Sequence, residues 1–378
     1  MALRATTMLK GAQLSLRIGK VIAENAPPAV IDALLSAQVT VSAGSRSGFQ
    51  LSFALSKRGI LSQSLIPSGY FDPPSRVILS VILNGTPTVV MDGVITRYEI
   101  SPSNDPGQAR LTITGEDVSR MMDLIDFSGF PFPAMPNEAR VALMVAKYPM
   151  YGIVPMVIPS VLFDIPNPLD EIPPQIGTDL AYITALANEV GYVFYIDPGP
   201  APGMNIAYWG PEIKVGIPQE ALIVNSDAQT NVESLSFGFD GFEKTLNVIL
   251  IQEPNSKFPI PIPVPDVNPL SPPLGRRLPV PLKVELMRGL ANRTPVQAAA
   301  IALANASKTA DVISGSGSLD VVRYGRLLKA RRLVEVRGAG INFDGHYFVK
   351  SVTHSIKPGE YKQNFSLTRN AFLPFTGA

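Results

Sequence analysis

The sequence lacks cysteine altogether, and in 378 residues it has two histidines and one tryptophan. Without cysteine there are no disulfides, thiolate metal sites or cysteine nucleophiles, which suits a reducing cytosol or a particle that passes between compartments. Charge imbalance is also missing: Lys+Arg 32 against Asp+Glu 31 leaves a net charge of +1. That balance supplies no global field for nucleic acid or an anionic membrane, so partners must be recognised by local surface. No apolar run is long enough to span a bilayer, so stable membrane insertion is not expected. Mean hydropathy is nonetheless +0.19, and the surplus apolar surface is expected to lie between subunits.

Catalytic signatures are equally scarce. No G-x-S-x-G, H-E-x-x-H or paired-carboxylate motif occurs. His346 and His354 share a face of a strand pattern, and Asp344 is the only local third ligand. Hydrogen-bonded strand histidines are the expected reading, with no metal and no cofactor. Asp117, Asp123 and Asp126 read as helix-end and solvent charges. Gly315-Ser316-Gly317-Ser318 lacks the lysine of a phosphate loop and is expected to be a linker. Arg323, Arg326, Lys329, Arg331, Arg332 and Arg337, with Tyr324, form the best nucleic-acid candidate. Few aromatics and no net charge favour a solvated face or an acidic protein partner instead. Trp209 is expected to pack at a junction beside Gly210-Pro211.

What is present is repetition. Asp92-Gly93 is followed fourteen residues later by Pro106-Gly107 and then Leu111-Thr112-Ile113-Thr114. Asp344-Gly345 is followed at the same distance by Pro358-Gly359 and then Phe365-Ser366-Leu367-Thr368. Each copy reads as a strand, a turn and a returning strand. The chain is long enough for several cores, and it divides into an N-terminal arm (1–37), a first β barrel or sandwich (38–126), an α+β middle (127–215) and a second β region (216–378). The fold class is α+β, mainly β. In the first β region Val39, Val41, Phe49, Leu51, Phe53 and Leu55 alternate with polar residues, and Asn84-Gly85 marks a turn. The middle carries a helix around Glu138–Lys147 and another at Asp179–Val190, capped by Thr178 and ended by Gly191, then a strand Tyr192–Ile196. In the second β region Ser234–Phe239 and Thr245–Gln252 read as strands. A proline-rich insertion (254–282) reads as an extended polyproline-like arm, and Thr294-Pro295 starts a helix over 294–308.

Three segments together resemble the phage late control protein D family, the central hub of contractile tails, which is similar to the N-terminal part of the type VI secretion spike. They are Asp92–Thr96 leading to Leu111–Asp117, Thr178–Ile183 with Leu186–Tyr195, and Gly345–His354 with Gly359–Tyr361 and Phe365–Asn370. The resemblance implies two tail-tube-like β-barrels joined by an α+β middle domain, assembled as a homotrimer. It further implies a baseplate location, assembly in the bacterial cytoplasm, and a spike or puncturing-tip protein, an inner tube protein and other baseplate proteins as partners. Fused spike proteins continue past the second barrel, so here the tip is expected on a separate polypeptide. A cell-wall hydrolase and a receptor- or carbohydrate-binding module are the rivals. The expected interface residues are Ile260, Ile262 and Val264 of the arm and Arg331 and Arg332 of the basic cluster.

Overall fold

The computed structural model describes residues 6–9, 11–105, 108–160, 165–169, 172–252, 259–265, 270–287, 301–303, 306 and 310–375. Pro106-Gly107 of the first repeat lies outside them. The first unit comprises β1 (Thr6–Leu9), β2 (Ala12–Gly19), β3 (Glu24–Asn25), a short helix α1 (Pro28–Asp32), β4 (Leu34–Ser42), β5 (Gly48–Ala54), β6 (Arg76–Leu83), β7 (Thr86–Ser101) and β8 (Arg110–Asp117). Its main strands run in the order β2-β6-β7-β8-β5-β4. The expected N-terminal arm is instead a strand from Ala12 onward, because Ala12, Leu14, Leu16 and Ile18 alternate with polar residues and bury one face against β6. Asn84 and Gly85 both adopt positive φ at the β6–β7 turn, as an Asn-Gly hairpin requires.

The middle layer has helices α2 (Asn137–Val145) and α3 (Asp179–Glu189) over a sheet of β10 (Val193–Pro198), β11 (Asn205–Gly210) and β9 (Ile153–Val157). The Thr178 hydroxyl accepts from the Ala181 amide at 3.2 Å and starts α3, and Gly191 at φ 70 follows its end. Trp209 is fully buried here, edge-on to Tyr192 at 4.9 Å. Val94, Val118 and Met122 of the first unit join this core, so the layer is rooted on the first unit.

The second unit begins with β12 (Gln219–Ile223) and β13 (Ser234–Phe239). A three-stranded sheet of β14 (Thr245–Gln252), β15 (Pro259–Val264) and β16 (Lys283–Leu286) interrupts it. β17 (Ile313–Asp320), a helical turn α4 (Val321–Tyr324), β18 (Leu333–Arg337), β19 (Gly345–Lys357) and β20 (Glu360–Arg369) follow. The order β12-β18-β19-β20-β17-β13 repeats that of the first unit, except that β12 runs parallel to β18 where β2 runs antiparallel to β6. Three sequence expectations change. Gly315–Ser318 is not a linker but the centre of β17, where glycines leave room for Phe237, Phe365 and Leu367. Thr245–Gln252 belongs to the interrupting sheet rather than to the unit. The proline-rich segment is a paired strand over 259–264: Ile260, Ile262 and Val264 share one parity, and Pro259, Pro261 and Pro263 occupy the other. Proline without an N–H is tolerated where the backbone faces away from the neighbouring strand. The helix expected over 294–308 lies mostly outside the described residues; within it, 301–303 are helical.

Candidate assembly interface

The two units are welded by one strand pair. β4 lies antiparallel to β19, with Ser42 opposite Ser351, Val41 opposite Val352, Thr40 opposite Thr353, Val39 opposite His354 and Ala37 opposite Ile356. This makes fourteen strands one continuous sheet. On the core side Val39, Val352 and Ile356 are buried; on the other face the Thr40 and Thr353 hydroxyls meet at 3.0 Å, and those of Ser351 and Ser366 at 2.6 Å. His354 is buried at the weld, its Nδ1 2.7 Å from the Tyr361 hydroxyl, and burial lowers its pKa to about 4.

The long strands of the two units carry the same irregularity. β7 has an extra residue between Ile95 and Arg97 against β8, and β19 has one between Val349 and Ser351 against β20. Aligning these bulges matches Ile95 with Val349, Arg97 with Ser351, Tyr98 with Val352, Glu99 with Thr353 and Ile100 with His354. The same alignment matches the last β6 pairing, Arg76 with Val94, to the last β18 pairing, Leu333 with Phe348. The Asp-Gly pairs of the sequence repeat are therefore out of step by two residues, and Asp92 corresponds to His346 rather than Asp344. Through β5 and β17, Thr40 of β4 corresponds to Gly238 of β13, Val39 to Phe237 and Val41 to Phe239.

Two of the open edges correspond to the two halves of the weld. The half of β7 that corresponds to the β4-covered half of β19 has no strand on that side beyond Val94. Arg97, Glu99, Ile100 and Ser101 are exposed there, and Ile100 is 47% accessible. β13 pairs only with β17 and ends the sheet, with Phe239 48% accessible. Sequence reasoning expects edge strands of both β units at interfaces but cannot say which strands these are, because a strand's free side shows only once its neighbours are known.

The residues expected at interfaces are dispersed. Ile260 and Ile262 are exposed on β15, whereas Val264 is buried with Ile249, Ala302 and Ala306. Arg331 points inward: it pairs with Asp197, donates to the Ser42 carbonyl at 2.7 Å and lies 3.9 Å over the Tyr195 ring, tying the middle layer to both units. Arg332 beside it is exposed. Arg337 pairs with Glu335 at 2.6 Å and Arg326 approaches Glu220 at 4.0 Å, so the basic cluster is neither one patch nor unopposed. A second internal tie had no sequence signal except an aspartate in an apolar strand. Buried Arg76 grips Asp92 through two nitrogens at 2.8 and 2.7 Å and donates to the Tyr151 carbonyl at 2.7 Å, while Asn205 donates to Asp92 at 2.9 Å.

The cleft between the middle layer and the second unit contains Lys214, buried and held by Asp311 at 2.6 Å and Glu212 at 3.2 Å. Burial opposes its charge, but the two carboxylates outweigh burial and hold the ammonium above its usual range. Asp117 caps the turn after β8, accepting from the Ser119 and Ser47 amides at 2.9 and 3.0 Å, and burial pushes its carboxyl upward. Among the described residues, no three acidic or histidine side chains are grouped to hold a metal.

No family model matches the sequence, and no curated protein matches it. Solved structures do. A tail protein from Neisseria meningitidis MC58 superposes with TM-score 0.63 at 14% identity, over 95% of this chain and 97% of that one. The 43 kDa tail protein of prophage MuSo2 from Shewanella oneidensis gives 0.62 at 13% identity, over 96% and 99%. The Francisella PdpA-VgrG complex gives 0.60 at 7% identity, over 98% of this chain and 60% of that one. The chain has the fold of these tail and secretion proteins, α+β and mainly β.

Proposed function

We propose that the chain is a non-enzymatic structural hub in the baseplate of a phage tail or contractile injection particle. It works as a homotrimer that joins a three-fold spike to a six-fold inner tube. The observation that carries this reading is the repeat: one chain holds two units of identical strand order, joined edge to edge. Three chains then present six similar units, so one ring matches three-fold symmetry by its chains and six-fold symmetry by its units. The fold shared with tail proteins supports the setting. The spike tip, the tube subunit and other baseplate proteins are the partners this reading requires.

Static light scattering tests it. A native mass near three times 40.6 kDa supports the hub. A monomer at every concentration overturns it, as does clearing of peptidoglycan by the purified chain.

A further inference from the structure

The internal weld has an unused copy of each of its halves on one chain. β4 covers β19; the counterpart of β4 is β13, which is open, and the counterpart of the covered part of β19 is Arg97–Ser101 of β7, which is also open. We infer that β13 of one copy adds to β7 of the next in the register of the internal weld. Phe239 lies opposite Tyr98, Gly238 opposite Glu99, Phe237 opposite Ile100, and Ser236 opposite Ser101. This inference rests on the hub reading and deepens it by naming the surfaces where copies meet.

Three features of the two edges fit a second copy. First, the apolar residues coincide: Phe239 and Ile100, each about half exposed alone, fall on the core side of the new pair, where in the internal weld Val41 is half-buried against the core and His354 is buried. Second, the polar sides are compatible. Glu99 already pairs with Arg97 along its own strand, and it would face Gly238, which has no side chain to oppose it. Third, Arg97 and Glu99 are the kind of charges that keep an open edge from pairing indiscriminately. The contact is heterologous, since each copy gives one edge and receives the other, so it closes only as a ring. A ring of three chains then alternates internal and intermolecular welds, six in all, around one sheet.

Because the chain has no cysteine, engineered thiols report this register directly. The template pair Thr40–Thr353 places its side chains 3.0 Å apart at the hydroxyls, so Gly238→Cys with Glu99→Cys should oxidise to covalent trimers on a non-reducing gel. A Cβ at Gly238 would meet only the movable Ser314 hydroxyl, at 3.3 Å. Ser236→Cys with Ser101→Cys is the second pair, gentler to the fold, and should link likewise. Gly238→Cys with Arg97→Cys, two residues out of register, should link at least tenfold less. A trimeric mass with no linkage, or with the shifted pair linking best, overturns the register and leaves the hub standing. A monomeric mass overturns both.

Discussion

The two units share an order of strands and a bulge, yet they fill the space between strands with side chains placed oppositely. In the first unit Phe49 of β5 faces Gly115 of β8; in the second Gly315 of β17 faces Leu367 of β20. One position along, Leu51 faces Ile113, while Gly317 faces Phe365. At the first pair the bulk crosses from one strand to its neighbour, at the second one strand carries what two carried, and the gap stays filled. Close packing constrains the volume between strands, not the residue at each position. The shape of the unit is thus the conserved quantity, and the residues are interchangeable means to it.

The largest expected break in this parallel is at Arg76. Its counterpart is Leu333, which packs against Phe348 and Leu274 and carries no charge. Arg76→Ala leaves Asp92 buried without its partner and should cost about 3–5 kcal/mol. Leu333→Ala removes only packing and should cost about 2–3 kcal/mol. Urea unfolding followed by Trp209, which is buried in the core that rests on the first unit, should show the larger loss for Arg76. Equal midpoints would mean that the ion pair contributes no more than the apolar contact.

Next comes the titration of a buried histidine, which only the second unit has at the weld. His354 holds its neutral ring buried with a pKa of about 4, whereas its counterpart Ile100 does not titrate. The unfolded chain takes up a proton on this ring below about pH 6.5 and the folded chain does not. Its stabilisation is therefore complete above pH 6.5 and is lost as pH falls towards 4, by about 3 kcal/mol. Urea midpoints measured from pH 7 to 4 should fall across that window, and His354→Gln should flatten the fall. An unchanged slope in the variant would assign the acid sensitivity elsewhere.

Period-two alternation made Phe49–Leu55 legible as a strand, and the cap at Thr178 marked α3 to within a residue. The repeat was legible as existing but not in its register, because the exchange of Phe49/Gly115 for Gly315/Leu367 erases position-by-position likeness. β17 was hidden for the same reason: its Gly-Ser alternation looks like a linker until Phe237, Phe365 and Leu367 occupy the vacated space. β2 carries its alternation, Ala12 to Ile18, within the stretch expected to be an arm. That edge strands would meet partners was legible, but not which strands they are, since an open edge is a property of strand order.

The glycine exchange itself can be tested. A Cβ at Gly115 would fall 2.2 Å from the Phe49 ring and 2.4 Å from the Val94 carbonyl, so backbone must move. At Gly315 the nearest atoms are side-chain carbons of Phe237 and Leu367, at 2.9 and 3.3 Å. Gly115→Ala should cost about 2–3 kcal/mol and Gly315→Ala about 1 kcal/mol, read from thermal or urea midpoints. The reverse ranking would show that the second unit is the more tightly filled.

The smallest effect isolates the weld. The Thr40–Thr353 hydroxyl bond is half-buried, so its net contribution is about 1 kcal/mol, a small part of what the buried Val39, Val352 and Ile356 provide at the same place. A double-mutant cycle with Thr40→Val and Thr353→Val should return a coupling of about that size, because valine keeps the shape and removes only the hydroxyl. The matching positions, Gly238 and Glu99, share no hydroxyl pair. If those strands meet between copies, their contact lacks this bond and should open before the internal weld when trimers are diluted or heated. Hydrogen exchange of the β4 and β13 amides in the assembled trimer separates the two: slower exchange in β4 is the expected result, and equal protection would make the intermolecular weld as strong as the covalently tethered one.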